Sequence, residues 1–216
     1  MRVDPLDHSM LADATAVLAG ACAFDRAHVV ADEKLFGPGP GETTPQAFGC
    51  WDGDLLVGVA AICANRVRVL GVIPSARGRG AGSALLAACE ATAKSAGQTV
   101  LRSLDQPGNY LAPGIDERNT ETIEWLQRRG WTISGEPRAN VLIDVRGNPK
   151  VSADRVTALT AAVAQHGYEV RRARADETAL LAAVTTEFGG AWPFELARSL
   201  EHSPVGVHVA LKDGAY

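Results

Sequence analysis

A glycine-rich turn flanked by two arginines is the segment of this sequence best suited to binding a charged ligand. Residues 73–83, "IPSARGRGAGS", lie between an apolar run typical of a strand and a run of small residues typical of a helix. Pro74 ends the strand, because proline cannot donate a hydrogen bond within a sheet. Three glycines allow the backbone to turn and to approach a ligand without obstruction by side chains: Gly78, Gly80 and Gly82.

This turn predicts a binding site for a pyrophosphate group. A helix that begins within residues 80–83 leaves its first N–H groups without partners inside the helix, at the end where the helix dipole amounts to about half a positive charge. Arg77 and Arg79 add two positive charges beside these donors, and each charge-assisted hydrogen bond is worth about 1.5–3 kcal/mol. The candidate pyrophosphate ligands are the residues of the turn: Arg77, Gly78, Arg79, Gly80, Ala81, Gly82 and Ser83.

Three other interpretations of the turn compete with pyrophosphate binding. A purely structural corner between strand and helix remains open. A nucleotide P-loop is excluded, because no Gly-Lys-Ser/Thr sequence follows the glycines. A dinucleotide fingerprint is a weaker alternative, since Leu85 occupies the place of its third glycine, although Asp105 ends the next predicted strand.

The elements that position the turn predict a mixed α/β (α+β) fold within residues 1–146. Apolar runs separated by turns indicate four strands before the turn and a helix, a strand, a second helix and a final strand after it. The later predicted strands are 98–105 and 138–145, and a long polar loop, 106–119, follows the first of them. The pattern predicts a sheet flanked by helices, with the turn at one of its strand ends.

The tail of the sequence predicts the start of a second, similar module. Residues 147–167 read as a linker and a helix, and residues 168–216 predict strand, helix, helix and strand. The segment "VHVALKDGAY" at 207–216 resembles "QAFGCWDGDL" at 46–55, since apolar residues lead into an Asp-Gly turn in both. A C-terminal decoration of a single domain is the alternative. An incomplete sheet exposes a strand edge, so we also expect pairing with a second copy as a homodimer.

Two segments carry a resemblance to a known family. "VLGVIPSARGRGAGSALL", residues 69–86, resembles the acyl-CoA-binding motif of the GNAT N-acetyltransferase superfamily, V-x-P-x-x-[RQ]-G-x-G-x-[GA], with Arg77, Gly80 and Gly82 at the R-x-x-G-x-G positions. "NTETIEWLQRRGW", residues 119–131, resembles a later family segment, an asparagine-led helix that ends in glycine and an aromatic residue. The resemblance spans most of residues 1–145 and implies a GNAT-like, mainly antiparallel sheet.

The resemblance implies acetyl-CoA as co-substrate, with no metal. In such a site the main chain of Leu70 and Val72 pairs with the pantetheine arm, and residues 77–83 hold the pyrophosphate through main-chain amides. Asn119 is then expected near the pantetheine or the thioester, while its alternative role is to cap the helix that follows.

Catalytic residues are harder to assign. Many family members use a tyrosine as the acid that protonates the departing thiolate, but Leu126 occupies that position here. Tyr110, in the loop 106–119, is the substitute that we predict, and a packing aromatic is the alternative. Asp116 and Glu117 could bind a cationic amine or be solvated loop charges.

The four cysteines show no paired spacing, which favours free thiols.

Charge and composition argue against binding to nucleic acid, to an anionic membrane or to a metal ion. The formal net charge of −4 offers no basic field for nucleic acid or an anionic membrane. The five histidines are scattered, which argues against a metal site. The sequence shows neither a signal-peptide core nor a membrane-length apolar run, so a cytoplasmic protein is expected.

The leading hypothesis is an N-acetyltransferase acting on the amine of an unidentified small molecule or peptide. The alternative is a non-catalytic CoA-binding module with a regulatory or scaffold role.

Overall fold

A five-stranded sheet organises the first part of the chain. The computed structural model describes residues 1–108, 114–139 and 141–216, which divide into two units, Met1–Arg138 and Ala139–Tyr216. In the first unit the strands follow in sheet order: β1 (Arg2–Pro5), β2 (Gln46–Asp52), β3 (Leu55–Cys63), β4 (Arg66–Val72) and β5 (Arg102–Ser103). Strands β1 to β4 are antiparallel, whereas β5 runs parallel to β4.

Helices cover both faces of this sheet. They are α1 (Leu11–Ala21), α2 (Ala31–Leu35), α3 (Ala81–Ser95) and α4 (Thr120–Gln127). Helices α1 and α2 share one core with the sheet, in which Leu18, Leu35 and Val59 are fully buried. A second core contains Leu85 of α3 and Ile62 of β3. Because both faces are covered, eight of the nine residues of β3 are buried. The mainly antiparallel sheet flanked by helices confirms the predicted fold class.

Two predicted strands differ in the structure. The strand predicted at 98–105 is limited to β5, two residues long. The strand predicted at 138–145 is wrong for the described residues 141–145, which adopt no regular structure. Apolar alternation gives a strand only where a neighbouring strand and a packed face exist, and Leu142 is 99% exposed.

The second unit contains a two-stranded antiparallel sheet, β6 (Tyr168–Arg172) with β7 (His208–Lys212). Helix α5 (Ala153–Ala164) precedes the sheet, and α6 (Thr178–Glu187) and α7 (Trp192–Leu200) connect its strands. Its small core is formed by Ala173, Leu180, Leu200, Val209 and Leu211.

The second unit repeats an order of elements found in the first. In both units an initial strand and two helices lead to an antiparallel partner strand that ends in an Asp-Gly turn. The predicted second GNAT-like module, and the predicted boundaries at residues 146 and 168, stay predictions.

Candidate functional site

Strands β4 and β5 separate after two residue pairs. Arg66 pairs with Arg102 and Val67 with Ser103, and the N–H of Leu104 still donates to Val67 O at 2.9 Å. Beyond this point no described residue pairs with β4 on that side. The sheet therefore opens along the second half of β4.

The open edge includes the two residues predicted to pair with pantetheine. Ile73 N donates to Val57 O at 3.0 Å, which makes this pair a hydrogen-bonded one of the antiparallel ladder. Because such pairs alternate along antiparallel strands, the main-chain groups of Leu70 and Val72 point away from β3. Leu70 thus presents its main-chain N–H and C=O to the gap and Val72 presents its N–H, whereas Val72 O accepts a hydrogen bond from Arg77 Nε at 3.1 Å.

A buried arginine lies where β4 departs from regular pairing. Ala61 pairs with Val69 and Ile62 with Val67, so Arg68 is the extra residue of a β-bulge, a feature that bends a strand. Arg68 is 1% exposed. Sequence reasoning missed its role, although a charged residue inside the apolar run "RVRVLGV" was the available signal.

The side chain of Arg68 joins three segments around the gap. Its Nε donates to Gln106 Oε1 at 2.7 Å, and its Nη1 donates to Gly37 O at 2.5 Å and to Glu33 O at 3.3 Å. Gln106 follows β5, whereas Glu33 and Gly37 lie in and after α2. The opening between β4 and β5 is therefore held by charge-assisted hydrogen bonds.

The predicted turn joins β4 to α3 with two residues in the left-handed region. Gly78 has φ +71° and Gly80 has φ +92°, and Gly80 is the N-cap of α3. These angles explain why glycine is needed, because other residues are strained there. A Cβ built at either glycine meets no atom within 4 Å, so the space above the turn is open.

Several consecutive N–H groups of this turn have no acceptor within the described residues. After the N–H of Arg77, the next that donates to a main-chain acceptor is that of Ala84, which bonds to Gly80 O at 3.0 Å. Across the described ranges, no residue accepts a hydrogen bond from the N–H groups of residues 78–83. Such donors at the positive end of a 15-residue helix suit an anion.

Both arginines of the turn have protein partners. Arg77 donates from Nε to Val72 O at 3.1 Å and from Nη2 to Ala21 O at 2.9 Å. Arg79 forms an ion pair with Asp52 at 2.8 Å. Arg77 therefore fastens the turn to the end of α1, and the predicted side-chain contacts of both arginines with a phosphate stay predictions.

A third arginine, Arg129, follows α4 and contacts the first turn of α3. Sequence reasoning missed this contact. Arg129 Nη2 donates to Ser83 Oγ at 2.8 Å, Nη1 donates to Trp125 O at 3.1 Å, and the guanidinium lies 4.2 Å from the centre of the Trp125 ring. A Cβ on Gly82 would contact that ring at 3.7 Å. The i, i+4 spacing of Trp125 and Arg129 indicated their contact, but not the approach of α4 to α3.

The remaining predicted site residues lie near α4. Asn119 is the N-cap residue of α4, the alternative role expected for it, although its side chain makes no capping hydrogen bond. Its predicted place near the pantetheine or the thioester stays a prediction. Tyr110, the predicted catalytic acid, lies outside the described residues. Leu126 packs together with Trp131 against the core that α3 shares with the sheet, so an apolar side chain stands where the resemblance led us to expect a tyrosine.

Asp116 has a partner within its own loop. Arg118 donates to its two carboxylate oxygens at 2.8 and 2.7 Å, and these bonds lower the pKa of Asp116 to about 2. The guanidinium of Arg118 also lies 4.6 Å from the centre of the Phe24 ring. The contact joins the segment between α1 and α2 to the loop before α4, while Glu117 is exposed.

The cysteines are free thiols in largely apolar surroundings. Cys63 is buried beside Thr43, whose Oγ1 lies 3.2 Å from its Sγ. Burial raises the pKa of Cys89 to about 12 and that of Cys22 to about 11. Both thiols are therefore poor nucleophiles near neutral pH.

Neither a metal site nor a membrane-spanning helix is found in the described part of the chain. No set of three or more His, Cys, Asp or Glu side chains in these ranges is arranged to hold a metal ion. Likewise, none of the helices in the described part of the chain combines the length and the apolar character needed to cross a bilayer.

Structural comparison finds acetyltransferases. The GCN5-related glucosamine N-acetyltransferase region of a fungal multi-domain GH3 β-N-acetylglucosaminidase aligns with a TM-score of 0.70 at 17% identity, over 98% of this chain and 26% of that one. The chain therefore spans about a quarter of that protein's length. At this identity the similarity shows the fold.

Two further solved structures align less well. An aminoglycoside antibiotic 6′-N-acetyltransferase from Acinetobacter haemolyticus gives a TM-score of 0.48 at 13% identity, over 67% of this chain and 100% of that one. The ribosomal-protein-S18-alanine N-acetyltransferase from Escherichia coli gives 0.48 at 15% identity, over 62% and 79%. Both scores lie below 0.5 and carry no weight for function.

Sequence comparison places the turn within a recognised domain. No curated protein shows significant similarity to the chain. The family model of the GNAT acetyltransferases matches residues 21–130, which is about half of the sequence and includes β2 to α4 with the turn between them. Together with the fold, this match shows that the chain belongs to the GNAT acetyltransferase family.

Proposed function

We propose that this protein transfers the acetyl group of acetyl-CoA to an amine of a small molecule or peptide. The observation that carries the proposal is the continuity of two sets of main-chain groups that, apart from Val72 O, have no protein partner in the described ranges. The open edge of β4 at Leu70 and Val72 leads directly into the turn, where the N–H groups of residues 78–83 have no acceptor in the described ranges. An extended arm that ends in a pyrophosphate matches both sets.

The glycines of the site leave room for acetyl-CoA, and among the described main-chain groups that would pair with it, Val72 O alone already has a partner, Arg77 Nε. Leu70 and Val72 would pair with the pantetheine amides as one strand pairs with another. The N–H groups of residues 78–83 would bind the pyrophosphate, since the Cβ positions of Gly78 and Gly80 face open space. When bound, acetyl-CoA supplies the thioester that carries the acetyl group.

The protein's contribution to the reaction would be positioning and proton transfer. Two substrates held together can react directly, without a covalent enzyme intermediate. An amine with a pKa near 10.4 costs about 4–5 kcal/mol to deprotonate at pH 7, so a proton acceptor would assist. Leu126 has no proton to donate to the departing thiolate, and Tyr110 remains the residue proposed for that step.

Calorimetric titration with acetyl-CoA tests the binding site. The native chain should bind at micromolar concentration, and Gly80→Glu should abolish binding, because its carboxylate would occupy the turn and repel the pyrophosphate. Gly97→Glu is the matched control: Gly97 also has a positive φ, +73°, with open space at its Cβ, but it follows the other end of α3. Absence of binding to the native chain at hundreds of micromolar would refute the proposal.

A second candidate function follows from Leu126. A chain without the usual acid could bind CoA as a regulatory or scaffold module without catalysis. A panel of amines that includes glucosamine, the substrate named for the fungal structural neighbour, separates the two functions by thiol release from acetyl-CoA. Release with any amine, reduced by Tyr110→Phe, supports the enzyme, whereas binding without release across the panel supports the module.

A further inference from the structure

Arg129 is placed where a positive charge is unfavourable unless an anion is present. Its guanidinium bonds to Ser83 in the first turn of α3, the positive end of that helix dipole. The other groups that hold it are Trp125 O and the Trp125 ring. All three partners are neutral, so none of them compensates the charge.

The neighbouring arginines differ in this respect. Arg79 pairs with Asp52 at 2.8 Å, and Arg128, adjacent to Arg129, pairs with Glu124 at 3.6 Å. In the described ranges, no carboxylate forms an ion pair with Arg129. This guanidinium, which is hydrogen-bonded and stacked on an aromatic ring but has no anionic partner in the described ranges, can receive an anion from solution.

We propose that Arg129 binds the pyrophosphate of CoA beside the main-chain N–H groups of the glycine turn. This inference rests on the proposed function. A guanidinium has five N–H donors, of which two are used within the described residues, by Ser83 Oγ and Trp125 O. The Ser83 hydroxyl accepts from Arg129 and keeps its own proton for a phosphate oxygen. Arg129 and Ser83 thus add side-chain donors to the main-chain donors of residues 78–83.

The geometry favours the pyrophosphate over the 3′-phosphate of CoA. Ser83 belongs to the same helical turn as the N–H groups expected to hold the pyrophosphate. The 2.8 Å bond between Arg129 and Ser83 keeps the guanidinium within reach of that group. Arg129 would therefore supply the cationic contact that the sequence assigned to Arg77 and Arg79.

Calorimetry with CoA and with 3′-dephospho-CoA tests this assignment on three variants of the full chain. Arg129→Met should weaken binding of both ligands by a similar factor, about 10- to 100-fold, the range expected for a charge-assisted hydrogen bond. Arg129→Lys, which keeps a charge without the planar fork, should fall between. Arg128→Met removes the same charge from the neighbouring residue and should leave binding within about twofold, since its exposed pair contributes little.

The outcomes separate this inference from the function on which it rests. Equal binding by Arg129→Met and the native chain would overturn the inference and leave the proposed function standing. A loss seen with CoA but not with 3′-dephospho-CoA would overturn it too, because it would place Arg129 at the 3′-phosphate. No binding of CoA by the native chain would overturn both. Thermal unfolding of each variant shows whether a loss reflects misfolding.

Discussion

Arg77 Nη2 donates a hydrogen bond to Ala21 O at 2.9 Å, which joins the glycine turn to the end of a helix fifty-six residues earlier in the sequence. The same side chain donates from Nε to Val72 O, the last residue of β4. The charge predicted to face a phosphate therefore also fixes the entry to the turn. The position of the N–H groups of residues 78–83 depends on that contact.

Replacement of Arg77 should cost stability that replacement of Arg79 does not. Arg77→Met loses two bonds from a charged donor to main-chain oxygens, and we expect the free energy of unfolding to fall by about 1–3 kcal/mol. Arg79→Met loses only a half-exposed ion pair with Asp52, worth about 0–1 kcal/mol. Urea denaturation compares the variants, and equal losses would contradict a bracing role for Arg77.

Arg68 should be the least replaceable charged residue of β4. Arg68→Met leaves Gln106 Oε1 and the carbonyls of Glu33 and Gly37 without this donor in a buried region, and each orphaned group costs about 1–3 kcal/mol. Because three acceptors lose this donor, we expect a loss of at least about 3 kcal/mol in urea denaturation. Arg102→Met, on the adjacent strand and half-exposed, is the control and should lose under about 1 kcal/mol. A similar loss in both variants would contradict the bracing of the gap by Arg68.

The sequence predicted the local features of the site better than the long-range ones. The strand, turn and helix around Gly78 and Gly80 could be predicted, because proline and glycine determine backbone geometry within a few residues. The role of Arg68 and the approach of Arg129 to Ser83 could not, since each depends on packing between elements far apart in the sequence. The strand predicted at 138–145 failed for a related reason, because apolar alternation does not reveal whether a partner strand exists.

A pH-dependent contribution to stability is expected in the second unit. The buried carboxylate of Glu177 accepts hydrogen bonds from Arg171, Tyr216 and the N–H of Arg174, and the bond from Arg171 above all holds its pKa well below the usual range. Since the folded pKa is depressed, this contribution is complete above the unfolded pKa of about 4.3 and is lost as the pH falls below it.

Glu177→Gln tests that contribution. At pH 7 the variant should exchange the amide hydrogens of β6 and β7 faster than the native chain. The difference should narrow at pH 3, below the unfolded pKa of about 4.3, because the opened state of the native chain then takes up a proton at this carboxyl while the folded state does not. Glu169→Gln is the control, since that carboxylate pairs with the same Arg171 but is largely exposed, and it should change exchange little. A difference for Glu177→Gln that persists unchanged at pH 3 would contradict the titration of this carboxyl.

Variants of Leu126 can change the rate of acetyl transfer separately from the binding of acetyl-CoA. Its side chain packs with Trp131 against the core beneath α3, at the position where the family resemblance expects the tyrosine acid. Leu126→Tyr should raise the rate of acetyl transfer by about tenfold or more, because a general acid for the thiolate contributes up to about 10²–10⁴-fold. Leu126→Phe adds the same ring without the hydroxyl and should not raise the rate.

Thiol release at saturating acetyl-CoA, with the best amine of the panel, measures the rates of both variants. A rise in Leu126→Phe equal to that in Leu126→Tyr would assign the effect to packing, and the absence of a rise in either variant would show that the acid is supplied from elsewhere.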